Sequence, residues 1–258
     1  MKPNVICVPG SVAPAGQRYR ALVENVGDAA ELHLKELEIY REATPAASYS
    51  IEEELAAIDS VAGANGLDRF HLVAYSGGGF ISLAYAGTRP QRLLSLAVFE
   101  PAQIPGKLTE AEQRFYAGLE QKLSGLPPDA FMSTFIREQV KTGVPLPAPP
   151  QGPPSAEMQK RPAGIATLLK AFRAYSFDRD LLRAVTSPVF YAYGDLSHPE
   201  QAMKAGILAQ LFADFRVRRY AGVHHFVPAE QIYTAEHATE LLDHWRRAEL
   251  SATELSPQ

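Results

Sequence analysis

A single cysteine, Cys7, rules out an internal disulfide framework. Its setting, Asn4-Val5-Ile6-Cys7-Val8, reads as a small buried hydrophobe rather than a nucleophile. No apolar run approaches the length needed to cross a bilayer, so no membrane partner is expected. The N-terminus, Met1-Lys2-Pro3-Asn4, lacks the apolar stretch and small-residue cleavage site of a secretory signal, which makes cytoplasmic the expected location. Excess positive charge is missing too: the net charge is −4, so nucleic acid is not an expected partner. Gly77-Gly78-Gly79 lacks the Lys-Ser/Thr of a phosphate-cradling loop, and no His/Cys/Asp/Glu cluster has metal-ligand spacing. His237 and His244, beside Glu236, Glu240 and Asp243, read as a solvated helix face. Neither a cofactor nor a metal is expected.

What is present is an ordinary globular composition, 46% hydrophobic and 21% charged over 258 residues, enough for a sizeable core. Strand-like runs at 4–8, 36–40, 69–75, 93–99, 188–193 and 215–220 alternate with helical patterns near 15–29, 50–64, 77–88, 199–213 and 229–249. Ser50-Ile51-Glu52-Glu53 has the spacing of a capping box. Strict alternation, with several strands continuously apolar, argues for an α/β fold: a mostly parallel, doubly wound sheet with helices on both faces. The alternation breaks once. Between about 100 and 186, helical patterns at Thr109–Leu123, Pro128–Lys141 and Ser155–Val185 follow one another, with a proline-dense connector at 144–154. Because strand–helix alternation resumes at Pro188, this stretch reads as an inserted helical lid, residues 101–186, rather than a linker between domains. The expected core is then 1–100 with 187–258.

Chemistry concentrates where strand 69–75 ends, in Ala74-Tyr75-Ser76-Gly77-Gly78-Gly79, with helical sequence following at once. A serine at so tight a strand-to-helix turn is held in a strained conformation with its hydroxyl above the sheet. Small residues two before and two after it, Ala74 and Gly78, keep the turn free of clashes. A glycine-rich turn in which Ser76 merely caps a helix would look much the same. Two further features favour nucleophilic catalysis. Val8-Pro9-Gly10-Ser11 turns directly after the first strand, where such a nucleophile finds its second oxyanion donor. Gly222-Val223-His224-His225-Phe226 follows the last strand, and histidine is the side chain whose proton affinity suits a general base at neutral pH. The expected oxyanion donors are the amides of Ser11 and Gly77, with Val12 as the alternative to Ser11.

With these motifs the chain resembles the α/β-hydrolase superfamily over nearly its whole length, as a lid-bearing, serine-nucleophile, esterase-like member. The resemblance ends the last strand with Gly-x-x-His and an aromatic, placing the base at His225 rather than His224. Two departures stand out: Pro9-Gly10 replaces the usual His-Gly, and the chain opens at what is normally the third strand. The family's usual acid position falls on Ser197, two residues beyond Asp195, while Glu100 closes strand 93–99, where some branches carry the acid. Glu100 is the first choice and Asp195 the alternative; a lid-hinge role for Glu100 and a turn role for Asp195 compete with both.

The resemblance implies hydrolysis of a carboxylic ester, thioester or lactone through an acyl-enzyme, with a small-molecule acyl substrate as partner. Phe115, Tyr116, Phe131, Phe135, Phe172, Tyr175 and Phe177 in the helical stretch suit an apolar acyl or ring-bearing group. C–C bond hydrolysis, cofactor-free lyase or oxygenase chemistry, and a non-enzymatic receptor stay open, as does a homodimer. A serine where dehalogenases and epoxide hydrolases carry a carboxylate argues against those two reactions.

Overall fold

The computed structural model describes residues 2–146 and 152–254, so the expected connector at 144–154 lies partly outside the described residues. Six strands, β1 (Asn4–Val8), β2 (Glu31–Leu34), β3 (Phe70–Tyr75), β4 (Leu93–Phe99), β5 (Val189–Gly194) and β6 (Phe215–Tyr220), form one sheet in the order β2-β1-β3-β4-β5-β6. Every neighbouring pair is parallel. This is the α/β sheet expected from the alternation.

The two-residue side-chain period of a strand divides the core into two layers. Ile6, Val8, Leu72, Ala74, Leu96 and Val98 point to one face, under helices Ile51–Ala64 and Gly77–Thr88. Val5, Cys7, Val73, Tyr75, Ala97 and Phe99 point to the other, under Arg20–Val26 and Ala235–Glu254. Apolar residues on both faces are why the inner strands read as mostly hydrophobic runs, interrupted in β3 by His71 and in β4 by Ser95. Burial of Cys7 pushes its thiol up, away from the reactive thiolate.

One expected strand is misplaced. The second strand is Glu31–Leu34, and residues 36–40 form a loop ending in the 3₁₀ turn Glu38–Tyr40. Leu37, Ile39 and Tyr40 are buried as expected, but their amides find other partners. Leu37 N donates to Glu36 Oε1 (3.0 Å), Ile39 N to Glu54 Oε1 (3.3 Å), and Tyr40 N to Leu37 O (3.0 Å). Carboxylates and a local turn satisfy the backbone that a strand would have paired. The edge strand β2, with a partly exposed ELHL, carries no apolar run to betray it.

The expected helices form with breaks. The 15–29 stretch divides into Ala15–Arg18, Arg20–Val26 and a 3₁₀ turn, and the 229–249 stretch into Ala229–Ile232 and Ala235–Glu254. Ser50 Oγ accepts from Glu53 N (3.4 Å), whereas the reciprocal capping box forms at Thr109 and Glu112. The helix Ala235–Glu254 is not solvated at both histidines. His244 is buried and donates to Leu96 O (3.3 Å), and His237 stacks on Tyr220 at 3.5 Å.

Among the described residues no strand lies between β4 and β5. Helices Glu110–Leu123, Pro128–Arg137, Ala156–Gln159 and Arg161–Ala174 fill the interval, followed by the 3₁₀ stretch Arg179–Ala184. They share a small core of Leu123, Phe135 and Ile165, which Val12 and Phe226 join from the sheet side. Arg179 clamps the two ends of this segment together through Glu112 (3.0 and 3.2 Å) and the carbonyls of Ile104 and Pro105. No helix among the described residues is long and apolar enough to cross a membrane.

Candidate active site

In an open parallel sheet, ligands sit beyond the carboxyl ends of the strands where the strand order reverses. Here β1 is followed outward by β2, while β3 returns to the other side of β1, so the switch lies between β1 and β3. The turns leaving those two strands carry Ser11 and Ser76.

Ser76 occupies φ 51°, ψ −116°, a left-handed conformation that costs a non-glycine residue on the order of 1–3 kcal/mol. The surroundings hold it there. Ser76 N donates to Phe99 O (3.0 Å), and its carbonyl accepts from Gly79 N and Ala102 N (both 2.8 Å). The small residues around it are required by contact. A Cβ on Gly78 would lie 2.4 Å from Pro9 O and 2.5 Å from Val8 O, and one on Gly10 would lie 2.9 Å from Ser76 Cβ. The two turns therefore pack backbone against backbone.

His225 Nε2 lies 2.9 Å from Ser76 Oγ, and His225 Nδ1 lies 2.6 Å from Glu100 Oε2. All three residues are buried. Glu100 follows β4 at φ 45°, its backbone N donating to Ala192 O (3.1 Å). Its second oxygen, Oε1, accepts from Gly194 N (2.7 Å) and Ser197 Oγ (2.6 Å). Ser197, at the place where the resemblance expected an acid, thus supports the carboxylate that comes from the neighbouring strand. Asp195 points elsewhere, accepting from Gly222 N (2.8 Å) and bracing the turn that leads to His225. His224 is turned away as well, its Nδ1 accepting from Phe226 N (3.1 Å).

Two aromatic residues hold the histidine: Tyr75, which the sequence did not single out, and Phe226, the aromatic that marked His225. The Tyr75 hydroxyl donates to His225 O, and the Tyr75 ring lies 5.0 Å from the imidazole. Phe226 meets the imidazole edge-on at 4.9 Å. Burial holds the His225 pKa below its ordinary value, with the Glu100 hydrogen bond and charge opposing that shift. A neutral imidazole at neutral pH has Nε2 free to accept a proton from Ser76 if Nδ1–H is donated to Glu100.

The amides of Ser11 and Gly77 border the same cleft, and neither donates to a protein acceptor among the described residues. A Cβ on Gly77 would be 3.7 Å from Ser11 N, so the Ser11 amide lies against the residue that follows Ser76. The Gly78 amide is occupied by Pro9 O (3.1 Å). Tyr40 buttresses this loop by donating to Ser11 O (2.7 Å). Val12, the alternative donor, turns its side chain into the helical cluster above.

The cleft is narrow, with a cavity volume of about 30 Å³. Its walls include Phe115, Leu119, Phe135, Ile165, Leu168 and Phe172, all from the segment between β4 and β5. Of the aromatic residues noted in that segment, Phe115, Tyr116, Phe135 and Phe172 face the cleft. Tyr175 and Phe177 pack against the sheet core, and Phe131 against the helical cluster. His198 is half-buried, its ring 4.7 Å from that of Phe115.

The family profile described as the alpha/beta hydrolase fold matches residues 41–231. The chain belongs to the α/β-hydrolase family. No curated protein matches it by sequence. Solved structures with the same fold include a carboxylesterase from Bacillus subtilis, at 15% identity and TM-score 0.62, covering 95% of this chain and 84% of that one. A thermophilic esterase from Thermogutta terrifontis is 17% identical at TM-score 0.68, with 96% and 90% covered. MenH from S. aureus is 15% identical at TM-score 0.69, with 96% and 94% covered. Within this α/β-hydrolase, Glu200, Gln103 and Gln139 are cleft residues for which the sequence held no local signal, since each sits in an unremarkable loop or helix start.

Proposed function

We propose that this α/β-hydrolase cleaves a carboxylic ester, thioester or lactone through an acyl-enzyme on Ser76. One observation carries the reading: the unbroken chain from Ser76 Oγ through His225 to Glu100, at 2.9 and 2.6 Å. His225 Nε2 takes the serine proton as Oγ attacks the acyl carbon, and Glu100 stabilises the imidazolium that results. The carbonyl oxygen becomes an oxyanion within reach of the Ser11 and Gly77 amides. Its collapse breaks the bond to the leaving alcohol or thiol, which receives the proton from His225. Water then repeats the sequence in reverse roles: His225 accepts its proton, the hydroxyl attacks the acyl carbon, and the proton returns to Ser76 as the acid leaves.

Residues 101–186 act as a lid over a core made of 1–100 and 187–258, and they supply the apolar wall that selects the acyl group. The apolar lining supports an alkyl or ring-bearing acyl chain, and esterases among the fold neighbours support the reaction class. The test is covalent labelling by a fluorophosphonate together with turnover of a graded series of acyl esters. Wild-type protein should label and turn over, and Ser76→Ala, folded by circular dichroism, should do neither. Undiminished labelling of Ser76→Ala would end the assignment.

A further inference from the structure

Among the described residues, one charged residue lines the apolar cleft. Glu200 begins the helix Glu200–Leu208, just beyond β5, and its side chain is 4% exposed. Its Oε1 accepts from Lys204 Nζ (3.1 Å) and from Gln201 Nε2 (3.3 Å). Its Oε2 is buried without any hydrogen-bond partner. A buried carboxylate oxygen left bare costs roughly 1–3 kcal/mol or more, so a structure that keeps one must recover that cost elsewhere.

Lys204 fixes which oxygen stays bare. An ammonium only donates, and all three of its hydrogens have acceptors: Pro101 O, Ala102 O (3.4 Å) and Glu200 Oε1. The same lysine reaches the backbone beside the nucleophile, because Ala102 N donates to Ser76 O (2.8 Å) and Ala102 itself borders the cleft. The other polar side chains of the wall, the hydroxyls of Ser11, Ser76 and Tyr116 and the amides of Gln103 and Gln139, can each donate and accept and so do not discriminate. Burial raises the Glu200 pKa and the Lys204 ammonium opposes that shift; in its ionised form Glu200 only accepts.

From this arrangement we infer that Glu200 is the specificity-determining residue of the cleft, taking a hydrogen-bond donor, a hydroxyl or N–H, carried on an otherwise apolar substrate. This rests on the hydrolase reading for its reaction but not for its binding. A site built to hydrogen-bond a substrate donor rejects the analogue lacking it far more strongly than an apolar pocket rejects a missing methylene.

The experiment uses activated esters of one chain length bearing a hydroxyl, keto or methyl group, with that group walked along the acyl chain. At one position, wild-type kcat/KM should favour hydroxyl over keto and methyl by about tenfold or more, the value of a hydrogen bond to a charged acceptor. Glu200→Gln must keep its amide oxygen toward Lys204, which turns the NH₂ to where Oε2 stood. The keto ester then gains, and the hydroxyl-over-keto ratio falls to near one. Equilibrium binding of the same esters to Ser76→Ala gives a readout that needs no turnover. A hydroxyl-over-keto ratio near one at every position, or one that Glu200→Gln leaves unchanged, overturns the inference while leaving ester hydrolysis standing. A tenfold binding preference in a protein that hydrolyses none of the esters would instead keep the inference and sink the hydrolase reading.

Discussion

Replacing Glu100 by Gln tests the reading at its most constrained point. Two donors, Gly194 N at 2.7 Å and Ser197 Oγ at 2.6 Å, aim at Oε1, so the amide that replaces the carboxylate must present its oxygen there. Its NH₂ is then directed at His225 Nδ1, where Oε2 stood at 2.6 Å. Two donors cannot share one hydrogen bond, so the imidazole adopts the other tautomer and carries its proton on Nε2. That proton faces Ser76 Oγ, and the lone pair needed to activate the serine is gone. The expected loss in kcat is about ten-thousandfold, or roughly 5 kcal/mol in the barrier. The change is isosteric and keeps the φ of 45°, so stability should move much less than rate. Ser197→Ala removes one of the two donors and leaves the His225–Glu100 hydrogen bond intact, so it should cost only about tenfold. Asp195→Asn, whose carboxylate meets Gly222 N rather than the imidazole, should be milder still. The assay is kcat on one activated ester for all three variants, with circular dichroism and urea unfolding alongside. A Glu100→Gln enzyme within tenfold of wild type, beside a severely impaired Asp195→Asn, would refute the reasoning and move the acid to the β5 loop.

Three further predictions follow from single contacts. His225→Ala should lose nearly as much ester turnover as Ser76→Ala, and His224→Ala far less, because the His224 imidazole accepts from the Phe226 amide instead of facing Ser76; the reverse ranking would mean that the loop is misassigned. Gly78→Ala forces a Cβ to within 2.4 Å of Pro9 O and should cost about 3 kcal/mol in urea unfolding, whereas Gly118→Ala, with open space at its Cβ, should not destabilise. Burial lowers the pKa of His71 to about 3 and that of His244 to about 4, against an unfolded value near 6.5. Their folded-state pKa values lie below the unfolded ones, so the full stability is present above pH 6.5 and is lost as pH falls toward 4. Each contributes up to about 1.4 kcal/mol per pH unit in that window, and a His71→Asn variant with an equally steep acid limb would contradict this.

What the sequence could determine was whatever depends on neighbours along the chain. Ser76 was legible because its strained turn needs small residues at fixed offsets, and those lie within five positions. The inner strands were legible because burial on both faces demands apolar residues at nearly all positions, the buried exceptions His71 and Ser95 bonding each other at 2.9 Å. The same logic misled at 36–40, where Leu37, Ile39 and Tyr40 are buried by a loop whose amides go to Glu36 and Glu54 instead of a strand. It was silent at Glu31–Leu34, an edge strand with no hydrophobic demand. Sequence reasoning put Glu100 ahead of Asp195 but kept both, since each closes a strand and each could serve an imidazole. Which carboxylate lies beside His225 is visible only in the tertiary structure, where Glu100 Oε2 stands 2.6 Å from Nδ1. The parallel pairing of β4 with β5 sets Glu100 beside Gly194 and Ser197, and the left-handed turn at Glu100 swings its carboxylate under His225, 125 positions away in sequence. The bare oxygen of Glu200 is of the same kind, because which carboxylate lacks a partner depends on what folding brings near it.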